Sequence, residues 1–199
     1  FKGGAVFRVQ PERPVTEADV DAIWRLLKLE PDMAVLDLAC GHGRIANGLA
    51  ERGARVTGLD APALFLDRAR RDAASRGVDV DYVEGDMRLL PWTEERFDRV
   101  VSWFTSFGYF DDQDNRRVLH EAHRVLRPGG RLLIENNNLV ELLPRWQPAL
   151  VTERDGHFAI DRSCFDPTTG RATTERVIIR DGHSRRFVFS VRMFVAAEL

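Results

Sequence analysis

The chain has 199 residues, 44% of them hydrophobic and 30% charged, with a net charge of −2. That length allows one domain with a full-sized core, and the near-neutral balance gives no electrostatic argument for nucleic acid or an anionic membrane surface. All 29 basic residues except Lys2 and Lys28 are arginines, interleaved with Asp and Glu so that they form no patch, and two cysteines, Cys40 and Cys164, make neither a disulfide framework nor a zinc motif.

Residues 1–14 show no period and read as an irregular lead-in. Thr16-x-x-Asp19 resembles a capping box, and Val20, Ile23, Trp24 and Leu27 then recur at helical spacing, predicting an amphipathic helix that ends before Pro31. An apolar run at 33–38 predicts a buried strand. It breaks into a small-residue turn, Ala39-Cys40-Gly41-His42-Gly43, and a helix over 43–53 follows with Ile45, Leu49 and Ala50 inward and Gly53 as its stop. Free N–H groups at that helix start would face whatever occupies the turn.

Residues 55–60 predict a second strand ending in an acid. Pro62 opens the next helix, whose interior is read as Leu64, Phe65, Leu66 and Ala69, with Gly77 as its end. Residues 78–83 alternate as a third strand closing on Glu84-Gly85-Asp86, and 97–103 form a fourth. Val118, Leu119, Ala122, Val125 and Leu126 mark another helix, stopped by Pro128-Gly129-Gly130, and a fifth strand covers 131–135. Strands alternating with helices predict an α/β fold, a Rossmann-like, doubly wound, mostly parallel sheet with function at the carboxyl ends of its strands.

From 158 onward the chain is rich in β-branched and aromatic residues. Turns at 166–170 and 181–182 divide it into a three-stranded antiparallel insertion after the fifth strand. The domain reading is a lead-in and helix at 1–32, a cofactor-binding core at 33–140, and a linker with β add-on at 141–199. No apolar run is long enough to span a membrane and no signal peptide opens the chain, so a cytoplasmic protein is expected.

Four motifs in order then carry a family resemblance: Val35-Leu36-Asp37-Leu38-Ala39-Cys40-Gly41-His42-Gly43, Val56-Thr57-Gly58-Leu59-Asp60, Glu84-Gly85-Asp86-Met87, and Arg124-Val125-Leu126-Arg127-Pro128-Gly129-Gly130. With Phe97-Asp98-Arg99-Val100-Val101 between them, the segment from about 30 to 136 resembles a class I S-adenosylmethionine-dependent methyltransferase. The stretch from Ser102 to Tyr109, followed by a β-rich insertion, is similar to small-molecule methyltransferases, including bacterial natural-product and amino-sugar N-methyltransferases. The family often has Gly where this chain has Ala39.

The resemblance implies S-adenosyl-L-methionine as cofactor, S-adenosyl-L-homocysteine as product, and no metal. It implies that Asp37 and the turn receive the methionine ammonium, while Ala39 and Gly41 leave room for backbone contact. Asp60, with Ala61 beside it, accepts the ribose hydroxyls. Asp86 and the Met87 N–H meet the adenine, and Trp103 and Phe104 border the sulfonium. Methyl transfer is an in-line displacement, for which positioning can supply effective molarities of about 10⁵–10⁸ M. If a base is used, Tyr109, Glu135 and Asn136 are the candidates, with Arg192 as an anchor for an acidic substrate.

The expected partner is a small-molecule methyl acceptor bearing an amine or hydroxyl, with no nucleic acid and no membrane, and the β add-on is a candidate cap or homodimer element. Two alternatives remain. Gly41-x-Gly43-x-x-Ala46 also fits a dinucleotide fingerprint, so an NAD(P)-dependent oxidoreductase is one. A non-catalytic or incomplete S-adenosylmethionine-binding module is the other, because the final helix and strand pair usual in the family are expected beyond residues 191–199.

Overall fold

The structure, a computed structural model, describes residues 6–9, as backbone, and residues 17–198. Thr16, the expected cap, lies outside the described residues. The chain divides into two compact units. The first in importance for function comprises residues 15–107 and 112–136; the second comprises 1–14, 108–111 and 137–199. The segment read as 1–32 therefore does not stay together. Strand β1 (Val6–Val9) pairs in parallel with a strand of the β-rich unit, whereas helix α1 (Glu17–Leu27) packs Val20, Ile23 and Leu27 into the α/β core.

The α/β unit runs β2 (Ala34–Leu38), α2 (Arg44–Glu51), β3 (Arg55–Asp60), α3 (Ala63–Arg76), β4 (Val80–Glu84), β5 (Phe97–Ser102), α4 (Asp112–Val125) and β6 (Leu126–Ile134). The sheet order is β4-β3-β2-β5-β6, and all its pairings are parallel. Strand β2 is central and buried along its whole length, which is why it reads as a continuous apolar run rather than an alternation. The chain moves outward from β2 through β3 to β4, then returns to β5 on the other side of β2. That reversal opens a crevice beyond the carboxyl ends of β2 and β5.

Two expectations are corrected here. In α3 the buried residues are Leu66, Ala69 and Ala73, while Leu64 is 74% exposed and Phe65 is exposed too. A helix has one inward stripe, and residues 64 and 65 lie off it. Strand β6 starts at Leu126, five residues before the expected 131. Leu126 pairs with Phe97 and Arg131 with Arg99, so the Pro128-Gly129-Gly130 segment is an irregularity inside the strand pair rather than a gap before it.

The β-rich unit contains α5 (Leu139–Leu142), β7 (Ala149–Arg154), β8 (His157–Asp166), β9 (Arg171–Arg180) and β10 (His183–Arg192), in the order β1-β7-β8-β9-β10. Its sheet has five strands, not three. The pairings from β7 to β10 are antiparallel, and β1 adds in parallel to β7. The β9–β10 turn places Asp181 at φ +50° and Gly182 at φ +74°, the geometry favoured by two-residue hairpins. Among the described residues no helix is long and apolar enough to cross a membrane.

Candidate functional site

The turn after β2 is built from three consecutive needs. Ala39, Gly41 and Gly43 all have positive φ (+61°, +57° and +79°), so the chain reverses within a few residues and enters α2 at Arg44. Gly43 has no room for a side chain: a Cβ there would stand 2.2 Å from the Tyr82 hydroxyl and 2.7 Å from Ala69 Cβ. Gly41 is the opposite case, since a Cβ would meet no atom within 4 Å. One glycine is packed against protein, and the other faces open space.

The turn is tied to the neighbouring strand. The Cys40 N–H donates to the Leu59 carbonyl at 3.0 Å, and the Gly41 N–H donates to Asp60 Oδ2 at 2.6 Å. Asp60 Oδ1 accepts from the Ala61 N–H at 2.8 Å. Each Asp60 oxygen keeps a further lone pair for a ligand hydroxyl. Behind the turn, the Tyr82 hydroxyl donates to Asn47 Oδ1 at 2.7 Å in a buried polar pair. Asparagine among apolar neighbours in a helix is the sequence signal that would have located this brace.

A cavity of about 240 Å³ opens at the end of β2, lined by Asp37, Ala39, Cys40, Gly41, His42, Arg44, Ile45, Trp103, Phe104 and Ser106. Asp37 is 2% exposed, and its Oδ2 has no hydrogen-bond partner. Burial pushes its carboxyl up from 3.8 to about 7, and nearby Asp60 pushes the same way, against the Ala46 N–H and the Arg44 charge. Burial likewise raises the Cys40 thiol, with Asp37 and Asp60 adding to the effect, so Cys40 is a poor nucleophile.

The far wall is the loop after β5. Phe104 and Thr105 both adopt positive φ (+66° and +53°). Glu135, just past β6, holds that conformation: its Oε2 accepts the Thr105 N–H at 3.0 Å, and its own N–H donates to Ser102 O at 2.9 Å. The Ser106 hydroxyl donates to Trp103 O at 2.9 Å. Asn136 follows Glu135 in the same unit.

Asp86 lies one strand further along the same sheet edge, where Gly85 N–H donates to Asp60 O at 3.0 Å. Both Asp86 oxygens accept from Arg88, which also donates to Asp114 at 2.6 Å. The Arg88 contact holds Asp86 below the usual carboxylate range. Met87 is buried. The cavity thus brings together Asp37, Ala39, Gly41, Trp103 and Phe104, Asp60 joins through Gly41, and Asp86 and Met87 sit outside its lining.

Tyr109 and Arg192 belong to the β-rich unit. There Tyr109 is tilted against Phe189 at 6.3 Å. Arg192 donates to the Gly170 and Met193 carbonyls and pairs with Glu198 at 2.6 Å. A guanidinium so engaged within its own unit has a structural task that its position in the sequence did not disclose.

Comparison with known proteins bears on the family and the fold. Residues 35–130 match the family described as a methyltransferase domain. A demethylmenaquinone methyltransferase of Thermus thermophilus is 42% identical over 102 residues, covering 50% of this chain and 45% of the relative. One from Thermotoga maritima is 35% identical over 133 residues, covering 63% and 52%. The chain spans about half the length of these curated relatives. In fold, the CcbJ methyltransferase of Streptomyces caelestis superposes with a TM-score of 0.78 at 24% identity, covering 90% of this chain and 74% of that one.

Proposed function

We propose, from the match of residues 35–130 to the methyltransferase-domain family and from the class I fold, that the protein transfers a methyl group from S-adenosylmethionine to an amine or hydroxyl of a small molecule. The observation that carries the reading is Asp37, a nearly fully buried acid with one unpartnered oxygen, among the residues lining a cavity at the sheet's switch point. Buried polar atoms without partners are rare and call for a ligand, and an ammonium is the partner this one suits. An adenine dinucleotide offers no such cation at that place.

The residues present fit the cofactor. Asp37 takes the ammonium of its amino-acid end, and the open side of Gly41 lets the backbone approach closely. Asp60, already fixed by two backbone N–H groups, accepts the ribose hydroxyls with its remaining lone pairs. Asp86 and the Met87 N–H serve the adenine. Trp103 and Phe104 present aromatic surface to the cationic side of the site. When bound, S-adenosylmethionine supplies a methyl group on a sulfonium sulfur, ready for in-line displacement. The chain's own contribution is orientation and exclusion of water.

The acceptor reading rests on the 102–109 segment and the β-rich unit, because the chain spans only about half the length of the curated relatives. A screen with methyl-labelled cofactor tests it, using small amines, amino sugars, phenols and a demethylmenaquinone-type quinone, the last taken from the names of the two relatives. Transfer to an amine or phenol is expected. Transfer to the quinone alone would replace the acceptor class, and tight S-adenosylhomocysteine binding without any transfer would favour the binding-module alternative.

A further inference from the structure

The β-rich unit sets a row of aromatic rings beside a row of polar groups. Residues directly opposed on neighbouring strands share one face of a sheet, and β8, β9 and β10 align two such ranks. One is Asp161, Arg176 and Phe187; the other is Ser163, Thr174 and Phe189. Phe187 and Phe189 stand 6.2 Å apart between ring centroids, at an interplanar angle of 31°. Tyr109, from the 108–111 segment of the same unit, continues the row at 6.3 Å and 32°. Tyr109 is 47% exposed and Phe187 42%, so the row offers ring surface to a ligand.

The polar row is built around an ion pair. Arg176 donates from Nε and Nη2 to the two Asp161 oxygens at 2.6 Å each, and the Ser163 and Thr174 hydroxyls share a hydrogen bond of 2.8 Å. The same guanidinium carbon lies 5.4 Å from the Phe189 ring centroid. A guanidinium has further N–H groups beyond the two that Asp161 takes, and each carboxylate oxygen keeps a lone pair. The pair cancels its own charge, so a carboxylate or phosphate gains little there. A donor and an acceptor side by side match a hydroxyl, which gives and takes hydrogen bonds at once. Successive tilts of 31° and 32° break the plane that a fused aromatic ligand would need. The C–H face of a puckered saturated ring follows such a surface through many small dispersion contacts.

We infer that this face is a ligand site for a hydroxylated, saturated ring of the sugar or aminocyclitol class. Phe187, Phe189 and Tyr109 take the C–H face of that ring, and Arg176 with Asp161 takes its hydroxyls. The site deepens the methyl-transfer reading, on which it rests for one point alone: that such a ring carries the amine or hydroxyl to be methylated. These are recognition residues, not catalytic ones. Selection is against planar phenols and against saturated amines that lack hydroxyls.

Saturation-transfer NMR on the full chain tests this with D-glucosamine, cyclohexylamine and 4-methylphenol as probes. Each is titrated into wild type, Phe187→Ala and Arg176→Lys, with thermal melting as a check on folding and S-adenosylhomocysteine calorimetry run in parallel. Phe187 is exposed, and Arg176→Lys keeps the ion pair while losing the planar fork. Glucosamine should bind, with saturation strongest on its ring C–H protons, and the other two probes at least about fivefold more weakly. Each substitution should weaken glucosamine about three- to tenfold and S-adenosylhomocysteine less than about twofold. Equally tight binding of 4-methylphenol or cyclohexylamine, glucosamine affinity untouched by both substitutions, or no glucosamine binding at all would overturn the site. Any of these results alongside S-adenosylhomocysteine binding leaves the cofactor reading standing. A wild type that binds no S-adenosylhomocysteine removes the methylation point instead, and the probes still decide the ring site.

Discussion

At the scale of single residues, the site is defined by an acid almost fully buried at the end of β2. Burial raises the Asp37 carboxyl from 3.8 to about 7, so the folded chain holds that proton more tightly than the unfolded chain. The linked stability is fully present below the unfolded value and is lost as pH rises through the folded one. With one unit worth 1.36 kcal/mol, wild type should lose up to about 4 kcal/mol relative to Asp37→Asn between about pH 4 and about pH 7, then level off. Urea unfolding of the two proteins across that range checks it; parallel curves would mean Asp37 is not buried as described.

The two turn glycines separate at the same scale. Gly43→Ala forces a Cβ into Tyr82 and Ala69 at positive φ, and should cost about 2–4 kcal/mol. Gly41→Ala meets open space, so its cost is the left-handed backbone alone, about 1–2 kcal/mol. Its main effect should fall on S-adenosylhomocysteine affinity, because the methyl occupies the side from which a ligand approaches. Equal losses of stability in the two variants would contradict this division.

At the scale of elements, Glu135 is a brace for the loop after β5, whatever else it does. Glu135→Ala strands the Thr105 N–H and should destabilise by about 1.5–3 kcal/mol, whereas Glu135→Gln keeps an acceptor and should lose less than half of that. Denaturant midpoints decide between them. If the two variants lose the same amount, the carboxylate is not holding the loop through that bond.

Much of the α/β unit was legible in the sequence because its strands end in acids and its helices show one apolar stripe. Asp37, Asp60 and Asp86 fell at the ends of β2, β3 and β4 as expected. What escaped notice had weak or misleading local signals. Pro128-Gly129-Gly130 looks like a stop, yet the strand pair absorbs it as an irregularity. Strand β1 is four residues long and exists by pairing with β7, about 140 residues away, and no local period announces such a partner. The role of Glu135 depends on loop conformations with positive φ at Phe104 and Thr105, which side-chain patterns do not encode.

At the scale of the molecule, one unit gathers the candidate cofactor residues at the ends of adjacent parallel strands, and the other is a sheet of five strands. Those residues come from segments far apart in sequence, the turn after β2 and the ends of β3, β4 and β5. A ligand that binds the folded unit alone must therefore stabilise it by mass action, by about 2.7 kcal/mol at a hundredfold excess over Kd. The central claim is that these contacts are matched to an S-adenosyl amino acid rather than to a nicotinamide dinucleotide. Titration calorimetry of the purified chain with S-adenosylhomocysteine and, separately, with NAD tests it most directly. One saturable site for S-adenosylhomocysteine and no comparable binding of NAD are expected; tight NAD binding with none of S-adenosylhomocysteine would contradict that match.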